Sequence, residues 1–120
     1  MNLFGMIEQC SNDSKRWFPK TQDDLGFMTL AMAGEVGEVA NLVKKLVRGS
    51  ITIEEAMEMG LEEEIVDVLI YLCNLMGMPE FNDTDWATIW NNKRAFNEDR
   101  FAPVAVDTQF IPDKDGNIGE

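Results

Sequence analysis

The chain has no histidine, one tyrosine, two cysteines and four prolines, and its 10 Lys and Arg are outnumbered by 22 Asp and Glu. Each shortage excludes something. Without histidine there is no Ser-His-Asp or Cys-His pair, no HExxH zinc site and no ExxH di-iron site. A formal net charge of −12 argues against a general nucleic-acid or anionic-membrane binder, because both need a basic face. It leaves anionic small molecules open, provided a cation or a few placed Lys and Arg screen the charge. Cys10 and Cys73 form no CxxC and sit in apolar stretches. They read as buried free thiols, which suits a cytoplasmic setting. No apolar run approaches the ~18–20 residues of a membrane span. The opening MNLFGMIEQC has neither the basic segment nor the long apolar run of a secretory leader.

What is present is 120 residues at 45% apolar and 27% charged, a composition that folds and a length that fits one domain of ordinary size. The apolar period is helical throughout, so the class is all-α with four main helices. Leu3, Met6, Ile7 and Cys10 mark a first helix over roughly residues 2–16. Trp17, Phe18 and Pro19 break it. Thr21 and Asp24, three apart, resemble a capping box for a second helix that runs to Arg48 and stops at Gly49. Thr52 and Glu55 form another such box, ahead of a short helix at about 53–59 and a long one at about 61–76, ended by Gly77 and Pro79. Asp83 is placed to cap a last helix over roughly 84–98, with Trp86, Ile89, Trp90 and Phe96 as its stripe. Residues 103–120 hold Pro103, Pro112, Gly116 and Gly119 with little periodicity, and read as an arm or flexible tail beyond a helical domain at 1–102.

The acidic residues divide into ordinary and anomalous. Glu54, Glu55, Glu58 and Glu62 read as solvated surface. Asp67, in contrast, sits within EIVDVLIYL, a stretch apolar on nearly every side and hence expected to be a buried helix. Glu64, Asp67 and Tyr71 are spaced i, i+3, i+7 and share a face. The second helix repeats the pattern: Glu35 and Glu38, again i, i+3, lie in LAMAGEVGEVA, with Lys45 seven residues beyond. Gly34 and Gly37 cost helix propensity there, which implies close packing or room for a ligand. Two such pairs on neighbouring antiparallel helices bring four carboxylates together, and their mutual repulsion calls for a cation. Oxygen-only donors select Mg²⁺ or Mn²⁺ over zinc or copper.

GEVGEVANLVKK followed by EEEIVDVLIYL resembles the MazG-like all-α nucleoside triphosphate pyrophosphohydrolases, whose signature is an ExxE pair, a variable spacer and an ExxD pair. The resemblance covers roughly residues 25–101. It implies a four-helix MazG-like bundle completed by oligomerisation, with Glu35, Glu38, Glu64 and Asp67 as Mg²⁺ ligands. Gly34 stands where some members carry a further Glu. Lys93, Asn97, Arg100 and Phe101 are similar to the K-x-x-x-N-x-x-R-Y pattern of related deoxycytidine triphosphatases, with Phe101 in place of the Tyr. By that likeness Lys93 and Arg100 meet phosphate, Asn97 hydrogen-bonds the nucleotide, Tyr71 contacts sugar or base, and Trp17 stacks on the base.

The activity implied is hydrolysis of (deoxy)nucleoside triphosphates to the monophosphate and pyrophosphate, as clearance of non-standard or surplus deoxynucleotides. With no histidine, a carboxylate must deprotonate the attacking water: Glu38 first, Glu35 second. Lys45 joins Lys93 and Arg100 in holding the outer phosphates. A single chain leaves the motif helices short of cover, and the resemblance implies a dimer or tetramer. The alternatives are a non-catalytic acidic module for a basic partner, and a metal-binding bundle without turnover.

Overall fold

The computed structural model describes residues 2–19 and 24–109, with side chains as far as Ala102. Among these the chain is helical, with no strand. The helices are α1 (Leu3–Trp17), α2 (Leu25–Val47), α3 (Ile53–Glu58), α4 (Leu61–Met76) and α5 (Trp86–Gln109), with a 3₁₀ turn at Pro79–Phe81. The chain divides into two compact units, Met1–Asn82 and Asp83–Glu120. This division precedes the last helix, whereas the change in composition lies near residue 102.

Local chemistry accounts for most helix starts. The Asn2 side chain accepts from the Gly5 N–H at 2.8 Å and opens α1. Asp24 does the same for α2, accepting from the Phe27 N–H at 2.9 Å; Thr21, expected to open this box, lies outside the described residues. The Thr52–Glu55 box is complete: Glu55 N–H donates to Thr52 Oγ1 at 3.1 Å, and Thr52 N–H donates to Glu55 Oε1 at 2.8 Å. Between α3 and α4, Gly60 takes φ +96°, a left-handed conformation that a side chain would strain.

In the first unit α4 is the central element, with α2 packed along it, α1 on it as well, and α3 bridging α2 and α4. The apolar core is small. Leu42, Ala56 and Leu61 are buried where α2, α3 and α4 meet, with Val39 and Ile51 against them. Met28, Cys73 and Met78 are the largest fully buried side chains. At the C-terminal end of α4, Gly77 permits close approach by α1. A Cβ there would lie 3.2 Å from Ile7 Cγ2 and 3.4 Å from Ser11 Cβ.

Four expectations need correction. Helix α4 is not buried all round: Ile65 is 51% exposed and Val66 52%, because α1 and α2 cover only part of its circumference. Close packing at Gly34 and Gly37 is not found, since a Cβ at either would meet nothing within 4 Å; both open onto free space. In the second unit Asp85, not Asp83, caps α5. It accepts from the Thr88 N–H at 3.1 Å and from Thr88 Oγ1 at 2.7 Å. These hydrogen bonds to Thr88 hold the Asp85 carboxyl below its ordinary value. Helix α5 continues past residue 98 and past Pro103 to Gln109, since a proline removes one ladder hydrogen bond without forbidding the turns that follow. Residues 110–120 lie outside the described part.

Candidate metal centre and adjoining groove

Glu35 comes from the middle of α2, Glu64 from the first turn of α4 and Asp67 from the next. Packing α2 along α4 brings one carboxylate oxygen from each to within 4.8 Å of the others, and all three side chains are half-buried. The two α4 carboxylates stand close because i and i+3 share a helix face. Glu64 also lies where the helix dipole favours an anion. Among the described residues no Lys or Arg forms an ion pair with any of the three; the ion pair found there joins Arg16 to Asp13. The Glu35 carboxyl is held above the ordinary carboxylate value. Its own desolvation is the largest cause, followed by the charges of Asp67, Glu64 and Glu38.

Glu38 is exposed and stands outside the 4.8 Å group. It is near enough for its charge to raise Glu35. The four-carboxylate set expected from the two pairs is therefore three carboxylates with a fourth beside them. The offset comes from the packing of α2 against α4, which sets Glu35 and not Glu38 against the α4 pair. Lys45, half-buried, lies in the last turn of α2.

Asp67 also lines a groove between α1 and α4, a cavity of about 330 Å³ whose walls include Trp17, Phe18, Val66, Ile70 and Tyr71. The structure thus places Trp17, Tyr71 and Asp67 on one cavity. Trp17 is largely exposed, with the Arg16 guanidinium 5.5 Å from its ring centre. Lys93, Asn97 and Arg100 belong to α5 in the second unit. There Lys93 lies 5.0 Å from the centre of the Phe96 ring and Arg100 4.9 Å from that of Phe101. Asn97 is half-buried and lines an open cavity with Arg94, Glu98 and Phe101.

The groove contains residues that the sequence analysis missed. Ser14 and Asn74 are 4% and 5% exposed, and Ser14 Oγ and Asn74 Oδ1 have no hydrogen-bond partner. Asn74 was detectable as a lone amide in an apolar helix; nothing in the SNDSKR stretch marked Ser14. The Cys10 and Cys73 thiols, both on this groove, are free. Burial pushes Cys10 up to about 11 and raises Cys73 as well.

Comparison with models of protein families, with curated proteins and with solved structures finds no match to this chain. Among the described residues, no helix is long and apolar enough to cross a membrane.

Proposed function

We propose that the chain is a Mg²⁺-dependent nucleoside triphosphate pyrophosphohydrolase. One observation carries the reading: Glu35, Glu64 and Asp67 converge within 4.8 Å from two helices, with no cationic side chain among the described residues paired to them. A hard-oxygen donor set of this kind fits Mg²⁺ or Mn²⁺. Such an ion, when bound, supplies neutralisation of phosphate charge and acidification of a bound water.

The chain's own residues supply the rest. Glu38, exposed and not committed to the close group, takes the proton of the attacking water on a carboxylate oxygen. Glu35, which holds a proton more readily than an ordinary carboxylate, is the second candidate for that base. The water oxygen bonds to the α-phosphorus. The bond from that phosphorus to the α–β bridging oxygen breaks, and pyrophosphate leaves with the electron pair. Lys45 screens the outer phosphates. Trp17 and Tyr71 contact base and sugar from the α1–α4 groove. The resemblance to MazG-like enzymes adds Lys93, Asn97 and Arg100 as nucleotide contacts, together with a cytoplasmic role in clearing surplus or non-standard deoxynucleotides.

A homo-oligomer, a dimer or tetramer, belongs to this reading. Val36 and Val43 of α2 and Ile65 and Leu72 of α4 all stand exposed on the single chain, outside the α1–α4 groove. A further copy of the chain would remove that apolar surface from water.

The deciding experiment incubates the protein with each deoxynucleoside triphosphate and Mg²⁺ and measures pyrophosphate. Release that is lost in Glu38→Gln supports the proposal. No release from any nucleotide sinks it; full activity in Glu38→Gln removes Glu38 as the base and leaves Glu35. A metal-binding module without turnover is the second reading: it needs the converging carboxylates but not Lys93, Asn97 or Arg100. It predicts Mn²⁺ binding with no pyrophosphate.

A further inference from the structure

We propose that Ser14 and Asn74 form the hydrogen-bonding floor of a nucleobase pocket in the α1–α4 groove, an inference that rests on the nucleotide-hydrolase reading for its ligand class. The two side chains are an anomaly of the first unit. Each is more than nine-tenths buried, yet Ser14 Oγ and Asn74 Oδ1 make no hydrogen bond. Buried polar atoms in native proteins are almost always paired, because an unmet donor or acceptor forfeits its hydration without return. Here the two lie on facing helices and line the same cavity of about 330 Å³. They also line a polar cavity of about 310 Å³ on which Ser11, Lys15 and Asn82 stand.

The surroundings select the partner. The groove is walled mainly by apolar and aromatic side chains, Trp17, Phe18, Val66, Ile70 and Tyr71 among them, with Gln9 and Asp13 also on its lining; such a surface suits a flat, weakly hydrated ring. Asn74 Oδ1 can only accept, so the ligand must present an N–H. The Ser14 hydroxyl can donate, so the ligand must present an acceptor beside it. Every nucleobase carries a donor next to an acceptor on its pairing edge. An aliphatic side chain from a second copy carries neither and would leave both atoms unpaired. Position adds to the argument: Asp67 belongs both to the carboxylate group and to this groove, so a base held here adjoins the place where the phosphates are to be hydrolysed.

The test separates this inference from the hydrolase reading by removing metal and phosphate. Free deoxynucleosides, at up to millimolar concentration and without Mg²⁺, are titrated into the full chain while the Asn74 side-chain amide is followed in a nitrogen–proton correlation spectrum. We expect a saturable shift of that amide and of the Trp17 indole N–H on the same groove; binding read from the indole is weakened about tenfold or more in Ser14→Ala and in Asn74→Ala, with thermal unfolding confirming that each variant folds. For a chain that hydrolyses nucleotides, the same variants are expected to lower kcat/KM for deoxynucleoside triphosphates by roughly 10–100-fold. Turnover of base-free 2-deoxyribose 5-triphosphate should be unchanged. An amide that no nucleoside moves overturns the proposal. So do variants that change only the unfolding temperature, since the two atoms then hold a buried water. Absence of hydrolysis with the amide shift intact would sink the enzyme reading and leave the base pocket standing.

Discussion

Glu35 on α2 and Asp67 on α4 place carboxylate oxygens within 4.8 Å of one another. The Asp67 charge is the largest of the neighbouring charges that lift the Glu35 carboxyl above its ordinary value. The sign of the consequence follows from linkage. A group whose folded pKa is raised contributes stability that is full below its unfolded pKa and is lost as pH rises through its folded pKa. The metal-free protein should therefore lose stability as pH rises through the raised Glu35 value. Glu35→Gln should remove that step and raise the unfolding temperature at neutral pH. Mg²⁺ or Mn²⁺ should stabilise the native protein more as pH rises, because the ligands must be deprotonated to bind. Calorimetric unfolding over a pH series, with and without metal, checks both.

The carboxylates should separate by role. Glu38→Gln is expected to reduce kcat by about 10²–10⁴-fold, the usual contribution of a general base, while leaving Mn²⁺ affinity near that of the parent chain. Glu64→Gln and Asp67→Asn should weaken Mn²⁺ binding itself. Isothermal titration with Mn²⁺ beside pyrophosphate assays distinguishes the two. Equal loss of Mn²⁺ affinity in all three variants would assign Glu38 to the ligand set instead.

Oligomerisation is testable without any ligand. Light scattering at micromolar concentration should give a multiple of the 13.6 kDa chain mass. Ile65→Glu and Leu72→Glu, at exposed apolar positions of α4 outside the groove, should lower that mass. A monomeric parent chain would refute the expectation.

Two caps provide controls. Thr52→Ala removes one arm of the box that starts α3 and should cost about 0.5–2 kcal/mol in chemical unfolding. At Asp85 the folded pKa is lowered by Thr88, so its contribution is present above the unfolded carboxylate pKa and lost as pH falls through the folded value. Asp85→Asn keeps a capping oxygen and should remove that acid-side dependence. Helical circular dichroism against pH reads it.

The thiols should be inert. Cys10 is pushed up to about 11 and Cys73 is 1% exposed, so little thiolate exists at neutral pH. Ellman's reagent should react slowly with the native protein and rapidly in urea. Fast native labelling would show that the α1–α4 contact opens.

Much of the helix map was readable from periodicity and caps. Asp24 and the Thr52–Glu55 box start helices where their side-chain oxygens meet free backbone N–H groups. Asp85 was not distinguishable from Asp83, because both precede the same apolar stripe and only backbone geometry decides which oxygen reaches Thr88. The course of α5 past Pro103 was not readable, since a proline signals a probable stop rather than a certain one. The adjacency of Cys10 to Cys73 and of Ser14 to Asn74 was hidden because each pair spans two helices.

The sequence by itself determined that this chain is all-helical, that it lacks histidine, and that Glu35, Glu38, Glu64 and Asp67 occur as i, i+3 pairs. Those properties depend on residue type and on the period of one helix. Only the tertiary structure decided that Glu35 meets Glu64 and Asp67 while Glu38 stands outside, that α4 keeps an exposed apolar face, and that two buried polar atoms share a groove. Helical period gives the angle of a side chain about its own axis. The rotation and axial offset of α2 and α1 against α4 come from packing, and those two quantities select which side chains meet.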